Sequence, residues 1–461
     1  MRWALVPAGM ICLAGMALAD ERPEIKLLRW QEDWRSLCDP KKQTERLDPL
    51  KCIPIERVPG TTLTLGGEYR ERYEAAWNPT FGFEGNGFED VLLTRLLLHG
   101  DLRYKDRARV FVQLGSYFAT DREFGAEETD RNDLDLQQGF LDLSGKIDDE
   151  TRLTLRGGRH EMNIGSGRLI SVRESPNVRR AFDGGRAMLE GKGYTVDVLA
   201  VRPIELHPGV FDDETDFTLG LWGVYGSLTT AALPKGQTLD LYYLGFEHDD
   251  AEFASFPGVA DELRHSLGVR YAGKQNGFDW DIEALYQFGD FGPNDISAWT
   301  VASDFGYTFT NVRWTPRLGM KANIASGDDD LNDGTLETFN ALFPKLPYFT
   351  EANIIYPANF IDVHPQITLH PRKDLEVIFG WDVLWKEEEA DAFYAPPLVP
   401  VDGTAGTDSF IGHQAAVELE YEITPQITAA AAYVHFWAGD GLEEAGGDDG
   451  DFVAAWASFK F

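Results

Sequence analysis

Segments of strand length in which apolar and polar side chains alternate recur along the whole chain, and this period of two limits the possible folds more than any other feature. Successive side chains of a strand point to opposite faces, so each segment offers one greasy face and one wet face. In 278–288, Phe278, Trp280, Ile282, Ala284, Tyr286 and Phe288 alternate with Asp279, Asp281, Glu283 and Gln287. In 312–324, Val312, Trp314, Pro316, Leu318, Met320, Ala322 and Ile324 alternate with Arg313, Thr315, Arg317, Gly319, Lys321 and Asn323. Pro316 has no ladder donor, which predicts a local bulge there. The stretch 63–77 repeats the scheme, with Thr64, Glu68, Arg70 and Arg72 on the polar side. After residue 19 no run approaches the roughly 20 apolar residues that a membrane helix requires. Strands of this kind, with 46 Gly, 12 Trp, 16 Tyr, 29 Phe and a formal charge of −34, fit an all-β transmembrane barrel that is apolar outside, wet inside and acidic in its loops. The same charge argues against a nucleic-acid partner, which needs a dense basic face.

The connections carry a second signal. Short polar turns at 105–106, 146–150, 191–193, 233–237, 274–277, 310–311, 370–374 and 424–425 alternate with long segments. These occupy approximately 78–90, 120–133, 160–185, 205–216, 248–262, 290–296, 326–358, 387–408 and 438–451. Eight turns and nine loops join eighteen antiparallel strands, and an even number brings both ends to the periplasmic side. The last strand closes on Val453, Ala455, Ala457, Phe459 and Phe461, and a terminal aromatic resembles the signal read by the outer-membrane insertion machinery. Arg2, an apolar run from Ile11 to Leu18 and the triplet Ala17-Leu18-Ala19 read as a cleavable secretory signal. Met16 stands where a lipoprotein would need Cys, so no acyl anchor is expected. The expected organisation is a signal peptide over 1–19, a periplasmic segment over 20–60 and an outer-membrane β-barrel over 61–461. Cys38 and Cys52 remain after cleavage, and an oxidising compartment favours a disulfide between them.

Charge is uneven over the long loops. Eight are net negative, whereas 159–186 holds Arg159, Arg168, Arg173, Arg179, Arg180 and Arg186 against Glu161, Glu174 and Asp183. The expectation is that this loop folds into the barrel and sets its narrowest level, where guanidinium forks meet a passing anion. Alternate strand positions add Arg95, Arg103, Arg109, Arg152, Arg156, Arg264, Arg270, Arg313, Arg317 and Lys321 to the inner face. An ionised side chain facing lipid at mid-depth costs about 2–4 kcal/mol, which drives these groups inward. The expected basic path therefore comprises Arg95, Arg109, Arg156, Arg159, Arg168, Arg173, Arg179, Arg180, Arg313, Arg317 and Lys321. Glu161, Glu174 and Asp183 are its partial counter-charges, and guanidinium chemistry makes the selectivity nearly independent of pH. The competing structural reading pairs these cations with Glu68, Asp101, Asp279, Asp281 and Glu283 in networks that only hold the fold.

Asp328, Asp330 and Asp333 form a weak calcium candidate, because alternate carboxylates begin oxygen-ligand loops. Asp333 stands where a helix-flanked calcium loop needs Gly, and a solvated acidic loop is the plainer reading. The nine His are scattered, and Ser166 between Gly165 and Gly167 near His160 is not a nucleophile elbow. Neither an enzyme nor a cofactor is expected.

Several runs together resemble alginate-export-type outer-membrane proteins over nearly all of the mature chain. They are Arg29-Trp30-Gln31-Glu32-Asp33-Trp34 with Asp39-Pro40, and Leu63-Thr64-Leu65-Gly66-Gly67-Glu68-Tyr69-Arg70-Glu71-Arg72-Tyr73-Glu74. The others are Gly158-Arg159 through Gly165-Ser166-Gly167-Arg168 and Ser171-Val172-Arg173-Glu174 to Pro176-Asn177-Val178-Arg179-Arg180-Ala181-Phe182-Asp183-Gly184, and Thr338-Phe339-Asn340-Ala341-Leu342-Phe343-Pro344-Lys345 before Tyr348-Phe349. The resemblance implies an eighteen-stranded monomeric barrel in lipid and lipopolysaccharide whose arginine-rich constriction passes an anionic polysaccharide outward. It also implies periplasmic export partners that feed the chain in. Lys51-Cys52-Ile53-Pro54 departs from the family's Lys-Tyr-Ile-Pro, which makes the disulfide particular to this chain. A general diffusion porin for small anions or sugars is the alternative, and a barrel enzyme acting on lipid or glycan is a more distant one.

Overall fold

The computed structural model describes residues 22–83, 85–229, 233–254 and 258–461; the expected signal peptide over 1–19 lies outside them. Eighteen long strands form the wall. The first six are β1 (Thr61–Trp77), β2 (Phe88–Tyr104), β3 (Ala108–Ala119), β4 (Asn132–Lys146), β5 (Arg152–His160) and β6 (Phe182–Gly191). They continue as β7 (Tyr194–Glu205), β8 (Leu219–Leu228), β9 (Gln237–Glu252), β10 (Val259–Gln275), β11 (Phe278–Phe291) and β12 (Asn294–Thr308). The last six are β13 (Arg317–Ala325), β14 (Phe360–Arg372), β15 (Leu375–Trp385), β16 (Phe410–Thr424), β17 (Ile427–Ala438) and β18 (Gly450–Lys460). Each pairs antiparallel with the next. β1 also pairs with β18, from Glu68 opposite Lys460 to Trp77 opposite Asp451, so the sheet closes into a barrel with no free edge. No helix among the described residues is long and apolar enough to cross a membrane.

The alternation read from the sequence is the alternation of the wall. On β2, Leu96, Leu98 and Leu102 are 40 %, 64 % and 40 % exposed, whereas Arg95, His99 and Asp101 between them are 0 %, 5 % and 4 % exposed. Aliphatic side chains thus form the outer face and ionised ones point inward, as a bilayer requires of a barrel. Lumen-facing groups are buried because loops fill the interior: Ile170 from 161–181 and Phe339, Phe343 and Phe349 from 326–359 pack with Phe246, Leu285 and Phe360 of the wall.

Two local expectations fail. The strand expected over 312–324 starts only at Arg317, because Trp314 (φ 68°) and Thr315 (φ 41°) adopt left-handed backbone and 309–316 forms a turn closed by Phe309 N–H on the Pro316 carbonyl at 2.9 Å. Pro316 lies outside the ladder, so no bulge is needed. Arg313 accordingly sits exposed on that turn with its guanidinium 4.9 Å from the Trp314 ring, and it does not face the lumen. The long loop expected over 290–296 is a tight hairpin at Gly292-Pro293, where Gly292 has φ +54°, and β9 and β10 likewise extend into the expected 248–262 loop.

The segment ahead of β1 folds back against the inner wall. A disulfide joins Cys38 and Cys52, whose Cα atoms are 4.9 Å apart. Arg29 donates to the carbonyls of Gly67 (3.0 Å) and Phe461 (2.6 Å), and its Nε meets Glu32 at 2.6 Å. Trp30 packs edge-on to Phe140, lies 3.9 Å from the Arg156 guanidinium, and donates its indole N–H to the Glu161 carbonyl at 3.1 Å. Leu28, Trp34 and Leu37 are buried. This segment therefore packs inside the barrel at the end that carries the short turns, where Arg35 meets Asp106 at 2.6 Å.

Candidate functional site

Residues 161–181, which connect β5 to β6, run through the interior and are fastened at both ends of their span. One anchor is ionic. Arg179 is fully buried and forks onto Glu161, at 3.0 Å from Nε and 2.7 Å from Nη2, while its Nη1 meets Glu174 at 3.0 Å. Glu174 in turn meets Arg95 of β2 at 3.1 Å, and Arg95 meets Glu68 of β1 at 3.3 Å. Arg70 of β1 makes no ion pair among the described residues and instead donates to the carbonyls of Glu174, Ser175 and Pro176. Burial alone would raise the Glu174 carboxyl, but Arg95, Arg179, Lys460 and Arg70 surround it and hold it well below the usual carboxylate range. Burial likewise works against the Arg179 charge, and Glu161 and Glu174 outweigh it. Paired, hydrogen-bonded charges are the form in which a dry site tolerates ionisation.

The second anchor lies on β11. Arg168 meets Asp281 at 2.8 Å and Glu283 at 2.9 Å, and the Ser166 hydroxyl donates to Glu283 at 2.6 Å. Since β1–β2 and β11 are far apart in the cyclic strand order, the loop crosses the lumen from one wall to another. Residues of 326–359 extend this partition through backbone pairing: Ser171 N–H on Phe343 O (2.9 Å), Phe343 N–H on Leu169 O (2.9 Å) and Lys345 N–H on Gly167 O (2.8 Å).

Most of the expected path arginines are spoken for. Arg109 pairs with Asp101 at 2.7 Å, Arg156 with Asp142 at 2.8 Å, Arg159 with Asp183 at 3.1 Å, and Arg317 with Asp279 and Asp304 at the end that carries the short turns. Arg168 meets carboxylates rather than wall arginines. Arg173 and Arg180 differ: neither has a carboxylate within ion-pair distance among the described residues, both are half-buried, and Arg173 Nε and Arg180 Nη1 lack hydrogen-bond partners. The Arg180 backbone N–H bonds the Val172 carbonyl at 2.8 Å, which brings the two neighbourhoods together, and its guanidinium stacks 4.9 Å from the Phe343 ring. Burial and then Arg173 push Arg180 well down from its ordinary value, and burial lowers Arg173. A guanidinium does not shed its proton at physiological pH, so such stress is relieved by an anion instead.

Lys345 is a basic residue that the path drawn from sequence lacked. Burial, then Arg168 and Lys321, push its ammonium down to about 7. A cation inside an acidic loop, directly after Pro344, is the only sequence cue to it. The weak calcium set does not assemble: Asp330 and Asp333 are exposed and accept turn N–H groups from Asn332 and Thr335, while Asp328 is buried near Asp329 and Glu337 instead. Ser166 and His160 do not meet; the histidine Nδ1 bonds the Gly158 carbonyl.

Three kinds of similarity bear on this arrangement. The family model described as alginate export matches residues 61–455. No curated protein matches the chain in sequence. Among solved structures, Pseudomonas aeruginosa OprD has a TM-score of 0.57 at 10% identity, covering 87% of this chain and 94% of that one. OccD3 (OpdP) of the same organism has a TM-score of 0.57 at 14% identity, over 89% and 93% of the two chains, and OccK8 (OprE) one of 0.55 at 12%, over 87% and 98%. At these identities the likeness concerns the fold alone.

Removing one partner of a buried ion pair costs about 3–5 kcal/mol, because the other charge is stranded. Arg179→Gln is therefore expected to assemble as a barrel yet release the loop from the β1–β2 wall, raising single-channel conductance and its fluctuations in planar bilayers. An unchanged, quiet conductance would show that the loop is held by other contacts.

Proposed function

Since the chain belongs to the alginate export family and is accordingly an outer-membrane channel of a bacterial cell, we propose that its cargo is an anionic polysaccharide, a polyuronate such as alginate. The observation that carries this reading is the unpaired guanidinium pair Arg173 and Arg180, half-buried on a partition that crosses the lumen. Every other expected path arginine that faces the lumen is held by a carboxylate, so these two are the groups left to recognise one from outside. A polymer carrying one carboxylate per sugar would step onto this pair as it passes through the lumen, and charge-assisted N–H···O bonds would exchange for one another as the chain advances. Lys345 and Lys321 extend the basic track on the facing loop and wall. The phenyl ring of Phe343 beneath Arg180 keeps the guanidinium plane fixed without supplying a counter-charge, so the site binds without holding on.

In this reading Arg95, Arg109, Arg156, Arg159, Arg168, Arg179 and Arg317 build the conduit, with Glu161, Glu174 and Asp183 as their partners, and contact cargo only where the partition shifts. Residues 20–60 form a periplasmic segment that must move aside, or be drawn aside by an export partner, before a polymer enters. The chain acts as a monomer. Both the family and the fold point to a channel rather than an enzyme.

The test is block of the ionic current by oligouronates against neutral oligosaccharides of equal length. Oligouronates should block the unmodified channel at concentrations at least about tenfold lower, and Arg173→Gln with Arg180→Gln should erase that preference; one lost charge-assisted contact of about 1.4 kcal/mol is tenfold in affinity. Equal block by both sugars would identify a general diffusion porin.

Anion preference should also depend on pH, in contrast to the flat profile that arginine alone predicts. Lys345 is charged below about 7 and loses its proton as pH rises through that value, so one positive charge leaves the track. Permeability ratios measured at pH 6 and pH 8.5 should show weaker anion preference at the higher pH, and Lys345→Met should be flat. A flat profile for the unmodified chain would place Lys345 off the path.

A further inference from the structure

We infer that the inner wall holds a transition-metal site formed by Asp362, His364 and Asp382. Asp362 and His364 lie on β14 and Asp382 on β15, all three facing inward and 1 %, 1 % and 0 % exposed. One donor atom from each lies within 4.8 Å of the others.

The hydrogen bonding around them leaves one atom of each residue unused. The Asn323 amide donates to Asp362 Oδ1 at 2.6 Å, and the Gln414 amide donates to Asp382 Oδ2 at 3.0 Å. Gln414 is itself oriented by the Thr350 hydroxyl at 2.8 Å. Asp362 Oδ2, Asp382 Oδ1 and His364 Nδ1 have no hydrogen-bond partner. The His364 Nδ1 lies 3.8 Å from Asp382 Oδ2, beyond a hydrogen bond. Its Nε2 faces the Gln366 side-chain amide at 3.2 Å; with that amide turned so that its oxygen faces the ring, Nε2–H donates and the Nδ1 lone pair is free to ligate.

Three buried side chains with donor atoms within 4.8 Å of one another, each carrying an atom without a hydrogen bond, are costly unless a cation lies between them. Lys321 stands opposite His364 in the ladder, but it leaves Asp362 Oδ2 and Asp382 Oδ1 without a hydrogen bond. A pleat position without a side chain, Gly380, accommodates the imidazole: a Cβ there would come within 2.6 Å of His364 Nε2. Around one zinc ion, nitrogen and oxygen donors at about 2.0–2.2 Å are roughly 3.4 Å apart, so these side chains need close by at most about 1.4 Å. One imidazole with two carboxylates favours Zn2+ over the all-oxygen coordination that Ca2+ prefers. The amides of Asn323 and Gln414 are then the outer partners that fix the ligating carboxylates. Such an ion would tie β14 to β15 where the 326–359 loop leans on the wall through Thr350.

The full-length barrel, stripped with a chelator and titrated with Zn2+, should retain one ion per chain on gel filtration as counted by plasma mass spectrometry, and Ca2+ should not displace it. His364→Gln and Asp382→Asn, checked for folding by circular dichroism, should retain less than a tenth as much. X-ray absorption on the Zn2+-loaded unmodified barrel, which depends on no variant, should show a nitrogen–oxygen shell at about 2.0–2.2 Å that includes one imidazole. An unmodified chain that retains no Zn2+ would mean that the carboxylates share a proton instead. That outcome, undiminished retention by a folded His364→Gln chain, or a spectrum without imidazole would overturn the assignment.

Discussion

The ion pairs of Arg179 with Glu161 and Glu174 hold a loop inside the barrel, and the rest of the lumen is arranged around that fact. Without them residues 161–181 would lose their hold on the β1–β2 wall and keep only the Arg168 anchor and the backbone pairing with 326–359. With them, Arg95 and Arg70 receive the loop on one wall and Asp281 and Glu283 receive it on another. The network is dense because each buried charge has to be answered: Glu174 alone is shared by Arg95, Arg179 and Lys460.

A partition held in this way has a chemical consequence. Once structural pairs consume most of the arginines, the proposed polyanion cargo would gain most at the few cations without an ion pair among the described residues. On the two lumen loops, Arg173, Arg180 and Lys345 are such cations among the described residues, and they share the stretch in which the 161–181 and 326–359 loops run alongside each other. The Cys38–Cys52 segment packs against the same partition through Trp30, whose ring lies 3.9 Å from the Arg156 guanidinium and whose indole N–H donates to the Glu161 carbonyl.

The architecture was legible in the sequence because a bilayer imposes a strict period: a residue such as Leu98 or Arg95 declares its face by its type alone. Strand number followed from turn chemistry, and the positive loop declared its burial through charge contrast. What stayed hidden were partnerships. Nothing in the order of residues pairs Arg168 with Glu283 or leaves Arg173 alone, because such outcomes depend on which strands face each other across the lumen. Alternation also continued through 312–316 although left-handed Trp314 and Thr315 remove that stretch from the ladder, so Arg313 read as lumen-facing but sits exposed on the turn. Asp330 and Asp333 looked like ligands by spacing and turned out to cap turns, while Asp362, His364 and Asp382 converge only because β14 and β15 are neighbours with Gly380 between them.

The central claim is that two unpaired guanidiniums on a fixed partition receive the carboxylates of the cargo. The most direct measurement is a structure of the barrel in lipid nanodiscs with a bound oligouronate. The account predicts sugar carboxylates within about 3 Å of Arg173 and Arg180, with the Arg179–Glu161 pair intact. Sugar density bound elsewhere in the lumen, with Arg173 and Arg180 untouched, would contradict it.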